Sequence, residues 1–269
     1  MTKLVVVTVV KNDLTGLRET LKSFAEQSAT ARLIVIDGFS TDGTFEEIQE
    51  WQSNFNFQVI QANDNGPYAA MNRAVDMLND EDYVWFMNAG DLFGSSESIN
   101  EVLVVLRRDE PVWAYGSFAI IEEDGTLRGV PRQEPYSLLN HAYGQTPICH
   151  QAVITRVAEL RHVGTFDLRF KIAADWKALL SLSVLFDPAV INSTIARYRA
   201  GGISDRTILK NIREQRQIRR AVLGGSTKTL VRDNSYDLKR VLRFLAGRLL
   251  TLLVKAHLVQ PDWRARRDM

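Results

Sequence analysis

Short apolar segments alternate with amphipathic segments along the first hundred residues of the chain. The apolar segments are rich in β-branched or aromatic residues, as is typical of buried strands, and they cover residues 4–10, 33–36, 57–60 and 83–87. Between them, apolar residues recur every three or four positions, as they do along one face of a helix. Strand and helix therefore alternate four times with short connections, which predicts parallel βαβ units.

Polar residues follow each of the four predicted strands. Asn12, Asp37, Asp64 and Asp91 all come at or soon after the point where a strand ends. In an open α/β sheet the carboxyl ends of parallel strands share one edge, and ligands bind there. We therefore expect these four side chains to converge on one site.

The second half of the chain has a different pattern. Strand-like segments over 113–121, 127–130 and 190–198 surround a helix that begins near Asp175, which predicts an α+β half sharing the sheet of the first half. The C-terminal part is basic and helical, with an apolar stripe over 236–258.

The bulk composition narrows the class of protein. Of the 269 residues, 45% are apolar and 24% are charged, which is typical of a globular domain, and a net charge of +1 gives no general attraction to nucleic acid. The single cysteine, Cys149, cannot form an internal disulfide, and the N-terminal apolar run is too short for a signal peptide. No apolar run approaches the roughly 20 residues of a membrane span. We therefore expect a cytoplasmic protein.

Several common site motifs do not occur in the sequence. The first strand runs into Lys11, Asn12 and Asp13 rather than a glycine-rich dinucleotide turn, and there is no P-loop, paired-cysteine or HExxH motif. The strand-end residues are carboxylates and amides, whose hard oxygen atoms suit Mg²⁺ or Mn²⁺ shared with substrate phosphates. This chemistry favours a nucleotide diphosphate held through a divalent ion.

A succession of motifs gives a family resemblance. The motifs are IDGFSTDGT at 36–44, DNGPYAAMNR at 64–73, NAGD at 88–91, CHQ at 149–151, KIAADW at 171–176 and GGIS at 201–204. With them, roughly residues 3–205 resemble the family 2 glycosyltransferases, closest to the bacterial exopolysaccharide and colanic acid (WcaE-like) subgroup. The resemblance implies an α/β fold of the GT-A type, in which a Rossmann-like nucleotide-binding half and an acceptor-binding half share one central sheet, followed by C-terminal helices.

The resemblance also implies a role for each part of the chain. Residues 1–115 would bind the nucleotide sugar, residues 116–205 would bind the acceptor and supply the catalytic base, and residues 206–269 would form basic amphipathic helices. The implied reaction transfers a hexose, with inversion, from a UDP- or GDP-sugar to a glycan or lipid-linked acceptor in cell-surface polysaccharide synthesis. Mn²⁺ or Mg²⁺ would be the cofactor.

Position by position, the resemblance implies roles for the residues around the nucleotide. Asp37 would bind the base or ribose, and Thr8 and Asn12 would line the same pocket. Asp64 and Arg73 would lie near the nucleotide.

The remaining candidates would surround the diphosphate and the acceptor. Asp91 would bind the metal, His150 would face the metal or the donor, and Asp175 would be the general base for the acceptor hydroxyl. The donor would also contact a further set of residues: Asn88, Ala89, Gly90, Gly201 and Gly202. Asn88 stands where the family often has a second acidic residue.

Ordinary structural roles are open for several of these residues. Asp37 could cap a helix, Asp64 could close an Asx-turn and Asp175 could complement a helix dipole. His150 could be a core histidine, and Arg73 could be a solvated helix residue.

Other functions are also open. A sugar-phosphate nucleotidyltransferase has a related α/β start but normally carries a glycine-rich basic loop, which residues 11–13 do not supply. A protein that binds nucleotide sugars without catalysis would fit the single carboxylate of the NAGD motif. The C-terminal amphipathic helix could pack on the domain or on a partner subunit, or it could lie on an anionic membrane face.

Overall fold

The computed structural model describes residues 3–122, 124–131, 135–145, 148–200, 207–224, 232–242 and 245–246. Contacts between residues divide the chain into two compact units, Met1–Ile218 and Arg219–Met269. The strands are β1 (Leu4–Val10), β2 (Arg32–Asp37), β3 (Gln58–Gln61), β4 (Tyr83–Phe86), β5 (Leu92–Phe93), β6 (Trp113–Ile121), β7 (Leu127–Gly129), β8 (Val153–Arg156) and β9 (Ala189–Arg199). The helices are α1 (Leu14–Ala25), α2 (Thr44–Asn54), α3 (Pro67–Asp76), α4 (Ser98–Asp109), α5 (Leu138–Ala142), α6 (Val157–His162), α7 (Ala174–Leu185) and α8 (Ile208–Leu223).

Nine strands in the described part of the first unit form one mixed sheet. Its main path runs in the order β3, β2, β1, β4, β8, β6, β9 and β5, and β7 pairs with β6. β1 is parallel to both β2 and β4, and β2 is parallel to β3, which confirms the predicted βαβ units. β8 runs antiparallel to β4 and β6 and so connects the two halves. The prediction that both halves share one sheet is therefore confirmed.

Successive residues of β1 face opposite sides of the sheet, and both sides are buried. Val6 and Val10 belong to a core cluster that includes side chains of α1 and α4, whereas Val5 and Val7 pack with α3, α6 and α7. Every residue of β1 is at most 7% exposed. Burying one such aliphatic side chain contributes roughly 1.5–3 kcal/mol, so this part of the sheet is a firm frame for the residues at its edge.

The sequence periodicity does not predict β5, the two-residue strand that follows Asp91. β5 pairs antiparallel with β9, which belongs to the second half of the chain. Directly after β5, the N–H of Gly94 donates to the carbonyl of Ile195 at 2.9 Å, and a Cβ at Gly94 would lie 1.8 Å from the carbonyl oxygen of Thr194. So short a strand carries no measurable period, and its partner is remote in sequence.

The second unit is helical where it is described, over residues 219–223 and 232–242. Arg219 is fully buried, and its guanidinium pairs with Asp233 at 2.6 Å and with Asp237 at 2.9 Å. Of the predicted apolar stripe, residues 243–244 and 247–258 lie outside the described residues. No helix within the described ranges is long and apolar enough to cross a membrane.

Candidate active site

The turn between β4 and β5 is fixed by a threonine of α1. The hydroxyl of Thr20 accepts a hydrogen bond from the N–H of Gly90 at 3.0 Å and lies 2.8 Å from the carbonyl oxygen of Asp91. Gly90 has a φ of 89°, in the left-handed region that favours glycine. The N–H of Ala89 donates to the carbonyl of Val9 in the neighbouring strand at 3.2 Å. The turn is thereby held at the carboxyl edge of the parallel strands.

Asp91 presents a buried carboxylate in this turn. It is 7% exposed, and Nε2 of Gln151 donates to its Oδ2 at 3.0 Å. Burial raises the pKa of Asp91 to about 7, although the hydrogen bond from Gln151 opposes that shift. In the same turn, Oδ1 of Asn88 is buried and accepts no hydrogen bond. A buried carboxylate beside a buried, unpaired amide oxygen fits the hard-ligand preference of Mn²⁺ or Mg²⁺.

The described residues supply few further metal ligands. No group of three or more His, Cys, Asp or Glu side chains suited to a metal occurs among them. A cation at Asp91 would therefore take much of its coordination from amide oxygen, water and donor phosphates. Mg²⁺ is usually bound in that way, through one or two carboxylates plus substrate phosphates.

His150 lies among aromatic rings next to a small cavity. Its imidazole stacks on Phe86, with the centroids 5.5 Å apart, and meets the edge of Phe166 at 5.6 Å. Nε2 of His150 is buried without a hydrogen-bond partner, and burial lowers the pKa of the ring. His150 and Asp175 both line a cavity of about 50 Å³. The structure therefore brings His150 close to the predicted base.

The loops that follow β1 and β2 are tied together. The carboxylate of Asp37, fully buried, accepts hydrogen bonds from the N–H of Ser40 at 3.2 Å and from Nε2 of Gln61 at 2.9 Å. The side chain of Asn12 accepts from the N–H of Thr41 at 2.8 Å. Helix α2 has its N-cap at another residue, so the alternative that Asp37 caps this helix is wrong. Asp37 and Asn12 thus bind neighbouring residues of one loop, Ser40 and Thr41, at the carboxyl edge of β1 and β2.

The other candidates of the nucleotide pocket have different surroundings. The hydroxyl of Thr8 is buried and has no hydrogen-bond partner. Arg73 forms a two-pronged ion pair with Asp64, with Nη2 2.8 Å from Oδ1 and Nε 2.9 Å from Oδ2. The Arg73 side chain remains 46% exposed, so this pair contributes little to stability but keeps the loop after β3 against α3. Gly201 and Gly202 lie outside the described residues.

Asp175 lies in the first turn of α7 and is held by a residue from the first half. The hydroxyl of Tyr68 lies 2.9 Å from Oδ1 of Asp175, and the N–H of Trp176 donates to the same oxygen at 2.7 Å. Tyr68 also lies 2.8 Å from the carbonyl oxygen of Ile172. The ring of Tyr68 stacks on Phe166, with centroids 5.8 Å apart. The predicted base, which belongs to the second half of the chain, is therefore held in part by a residue of the first half.

Sequence reasoning missed four residues that shape the site. They are Thr20 and Gln151 beside Asp91, and Tyr68 and Glu214 beside the loop that carries Asp175. Each is polar and at least partly buried, but its partner lies far away in the sequence. Tyr68 and Gln151 lie within the motifs. These two could have been found by considering every polar motif residue to which no role was assigned.

The fold is similar to that of two solved transferase structures. The structure is similar to TarS from S. aureus in complex with UDP, with a TM-score of 0.66 at 20% identity, covering 91% of this chain and 72% of that one. It is also similar to the mannosyltransferase PcManGT from Pyrobaculum calidifontis in complex with GDP-Man and Mn²⁺, with a TM-score of 0.61 at 13% identity, covering 98% and 83%. The predicted GT-A glycosyltransferase fold is therefore confirmed.

Sequence comparison then gives the family. The chain belongs to glycosyl transferase family 2, whose model matches residues 5–157, more than half of the chain. An uncharacterized glycosyltransferase of Mycobacterium tuberculosis is 29% identical over 203 residues, which are 74% of this chain and 75% of the relative. A PGL/p-HBAD biosynthesis glycosyltransferase of Mycobacterium bovis is 27% identical over 199 residues, covering 71% and 74%. The family-level resemblance of the motifs is confirmed.

Proposed function

We propose that this family 2 glycosyltransferase transfers a hexose, with inversion, from a UDP- or GDP-sugar to an acceptor hydroxyl in bacterial cell-surface polysaccharide synthesis. One observation carries the proposal. Two carboxylates in different settings, Asp91 and Asp175, flank the short segment 149–151: Gln151 binds Asp91, and His150 lines the cavity of Asp175. Asp91 is suited to binding a cation, and Asp175 is suited to accepting a proton.

Inversion requires one base and no covalent intermediate. Asp175 would accept the proton of the acceptor hydroxyl while the hydroxyl oxygen attacks the anomeric carbon. The Tyr68 hydroxyl and the Trp176 N–H orient the carboxylate through Oδ1, which leaves Oδ2 as the oxygen to receive that proton. Retention through a glycosyl-enzyme would need a second carboxylate about 5 Å from the first, as in retaining glycosidases.

The donor would lie along the edge formed by the first four strands. Asp37, Thr8 and Asn12 would contact the base and ribose, and Asp64 with Arg73 would border the nucleotide. The unpaired hydroxyl of Thr8 supports this placement, because a buried donor or acceptor without a partner is costly unless a ligand satisfies it.

The diphosphate would lie at the turn after β4. Asp91 and Oδ1 of Asn88 would hold Mn²⁺ or Mg²⁺, with His150 as a further candidate ligand, and the backbone of Ala89 and Gly90 would face the donor, as would Gly201 and Gly202. The cation would supply positive charge against the leaving diphosphate. Bound nucleotides and Mn²⁺ in the TarS and PcManGT structures support this choice of donor and cofactor.

The proposal also covers the organisation of the chain. Residues 1–115 form the donor half, residues 116–205 form the acceptor half and residues 206–269 form the C-terminal helices. The motifs support a position nearest the exopolysaccharide (WcaE-like) subgroup, in which the acceptor would be a glycan or a lipid-linked sugar. We place the enzyme in the cytoplasm, at the inner face of the plasma membrane.

An exposed apolar stripe supports membrane contact by the C-terminal unit. Leu238, Leu242 and Leu245 recur at helical spacing and are 60%, 55% and 54% exposed, with Lys239 and Arg240 next to the first of them. Apolar residues on one helix face with cations alongside are typical of helices that lie on anionic lipid. Changing all three leucines to serine should abolish co-sedimentation with anionic vesicles but leave nucleotide binding intact; unchanged sedimentation would remove the membrane role.

A donor screen tests the proposed function. The protein is heated with UDP, GDP, CMP and dTDP species, with and without Mn²⁺, and nucleotide release from the matching sugar donors is then measured with a glycan or lipid-linked acceptor. We expect metal-dependent stabilisation by UDP or GDP and release of that nucleotide. Stabilisation without any release would favour a binding protein that has no catalytic activity.

A further inference from the structure

The segment that leads into α7 is anchored by a carboxylate of α8. Glu214 accepts three backbone hydrogen bonds, from the N–H of Lys171 at 3.1 Å, of Ile172 at 3.0 Å and of Ala173 at 3.0 Å. Hydrogen bonds to an ionised acceptor are short and roughly twice as strong as those between neutral groups. Three of them, from consecutive residues, fix the backbone immediately before Asp175.

Tyr68 connects this anchored segment to the base. Its hydroxyl lies 2.8 Å from the carbonyl oxygen of Ile172 and 2.9 Å from Oδ1 of Asp175. The carbonyl oxygen can only accept a hydrogen bond, and so can an ionised carboxylate, whereas a tyrosine hydroxyl carries one hydrogen. Tyr68 therefore faces two acceptors with one hydrogen to donate, and the protonation state of Asp175 decides which of them receives it.

We propose that Tyr68 and Glu214 are positioning residues that hold the Asp175 base in place both before and after it takes a proton. This inference rests on the proposed function of Asp175. While Asp175 is ionised, the hydroxyl of Tyr68 donates to Oδ1. When the acceptor O–H bond breaks and an O–H bond forms on Asp175, the protonated carboxyl can rotate to donate to the oxygen of Tyr68, whose hydrogen turns to the carbonyl of Ile172.

The role of Glu214 is to keep the Ile172 carbonyl within hydrogen-bond distance of Tyr68. The amides of Ile172 and Ala173 flank the Ile172 carbonyl, and both bind Oε2 of Glu214. Without this anchor, the carbonyl oxygen would be free to move away from Tyr68. No proton leaves Tyr68 in the scheme, and burial and the charge of Asp175 raise the pKa of its hydroxyl far above the ordinary value, so it stays protonated.

Isosteric changes test the proposal in the full chain. Tyr68→Phe keeps the ring that stacks on Phe166, and Glu214→Gln replaces one carboxylate oxygen with an amide group that cannot accept a hydrogen bond. Each variant should lower kcat about tenfold and leave the donor KM within about twofold. Glu46→Gln, at an exposed position on α2, is the matched control and should leave both unchanged.

Two readouts separate positioning from a merely structural role. Tyr68→Phe removes a hydrogen bond to ionised Asp175, so the acidic limb of the kcat/KM profile should move to higher pH, by about one unit. Because both residues act through the same turn, the double variant should lose little more than the more damaging single change.

The failure of this inference differs from failure of the proposed function. If the wild-type protein transfers sugar and Tyr68→Phe keeps the wild-type kcat and pH profile, the positioning role is wrong. Independent losses that multiply in the double variant would also overturn it. If the wild-type protein transfers no sugar with any donor, the proposed function fails, and the inference fails with it. Should Glu214→Gln fail to fold, Tyr68→Phe alone still decides through its pH profile.

Discussion

The two carboxylates of the site differ in how the fold supports them. Asp91 lies in a tight turn at the end of a parallel strand, and burial raises its pKa to about 7. Asp175 lies in the first turn of a helix and accepts hydrogen bonds from the Tyr68 hydroxyl and the Trp176 N–H. The first arrangement leaves a buried carboxyl that gains from a cation, and the second orients a carboxylate for a proton. On the proposed function, the difference explains how a chain with one carboxylate in its NAGD motif would still have two distinct acidic functions.

The largest expected effect comes from neutralising the second carboxylate. Asp175→Asn keeps the shape of the side chain but removes the base, so kcat should fall about 10³-fold. Stabilisation by UDP or GDP with Mn²⁺ should stay unchanged, because Asp175 is not among the residues proposed to bind the donor. Asp109→Asn, at an exposed helix end, is the control. Loss of nucleotide binding in Asp175→Asn would contradict the division of roles between the two carboxylates.

Neutralising Asp91 should change the response to metal as well as the rate. Asp91→Asn should lower kcat/KM about 10²-fold and abolish the Mn²⁺ dependence of nucleotide binding. Since the pKa of Asp91 is raised to about 7, Mn²⁺-dependent stabilisation of the wild type should be weak at pH 6 and strong at pH 8. Thermal-shift titrations with Mn²⁺ across this range measure the effect, and a pH-independent response would contradict the buried setting of Asp91.

The raised pKa of Asp91 should also make the free energy of unfolding of the metal-free protein depend on pH. A folded pKa above the unfolded value means that folding favours the protonated carboxyl, so the contribution of Asp91 to stability is present at low pH and is lost as pH rises through about 7. Asp91→Asn should therefore be more stable than the wild type at pH 8 when no metal is present, as measured by urea unfolding.

The pairing of β5 with β9, which connects the turn of Asp91 to the second half of the chain, should be sensitive to substitution at Gly94. A Cβ at this position would lie 1.8 Å from the carbonyl oxygen of Thr194, so Gly94→Ala should separate β5 from β9 and lower the free energy of unfolding by about 2–3 kcal/mol. Gly129→Ala is the matched control, because a Cβ there meets no atom within 4 Å. Urea unfolding of both variants measures the contrast; equal stability would mean that β5 and β9 are not tightly paired.

A last effect, confined to acidic pH, is a pH dependence of stability that comes from His141. Burial lowers the pKa of His141 to about 4, so the folded state disfavours its protonated form. Stability should be full above the unfolded pKa of about 6.5 and should fall, by up to about 3 kcal/mol, as pH drops toward 4. His141→Gln should flatten this slope and His162→Gln, at an exposed position, should not. Unfolding curves at several pH values measure it, and an unchanged slope in His141→Gln would contradict the prediction.

The local sequence predicted the surroundings of Asp91, at the ends of the parallel strands, better than the surroundings of Asp175. The apolar run of β1 and the polar residues at the strand ends placed Asp37 and Asp91 at one edge, because parallel strands leave only one carboxyl edge. The environment of Asp175 could not be predicted in this way. Tyr68 and Glu214 reach it from positions far away in the sequence, and side-chain pairs at such separations leave no periodic signal. The two-residue strand β5 escaped prediction because it is too short to show a period and pairs with β9, which is remote in sequence.

The stereochemistry of the product tests the central claim most directly. The wild-type enzyme is incubated with the UDP- or GDP-hexose that it hydrolyses or transfers, and the anomeric configuration of the first product is read by NMR before it equilibrates. We predict a configuration opposite to that of the donor, as a single displacement assisted by Asp175 requires. A product with the configuration of the donor would contradict the assignment of Asp175 as the sole base and of the enzyme as inverting.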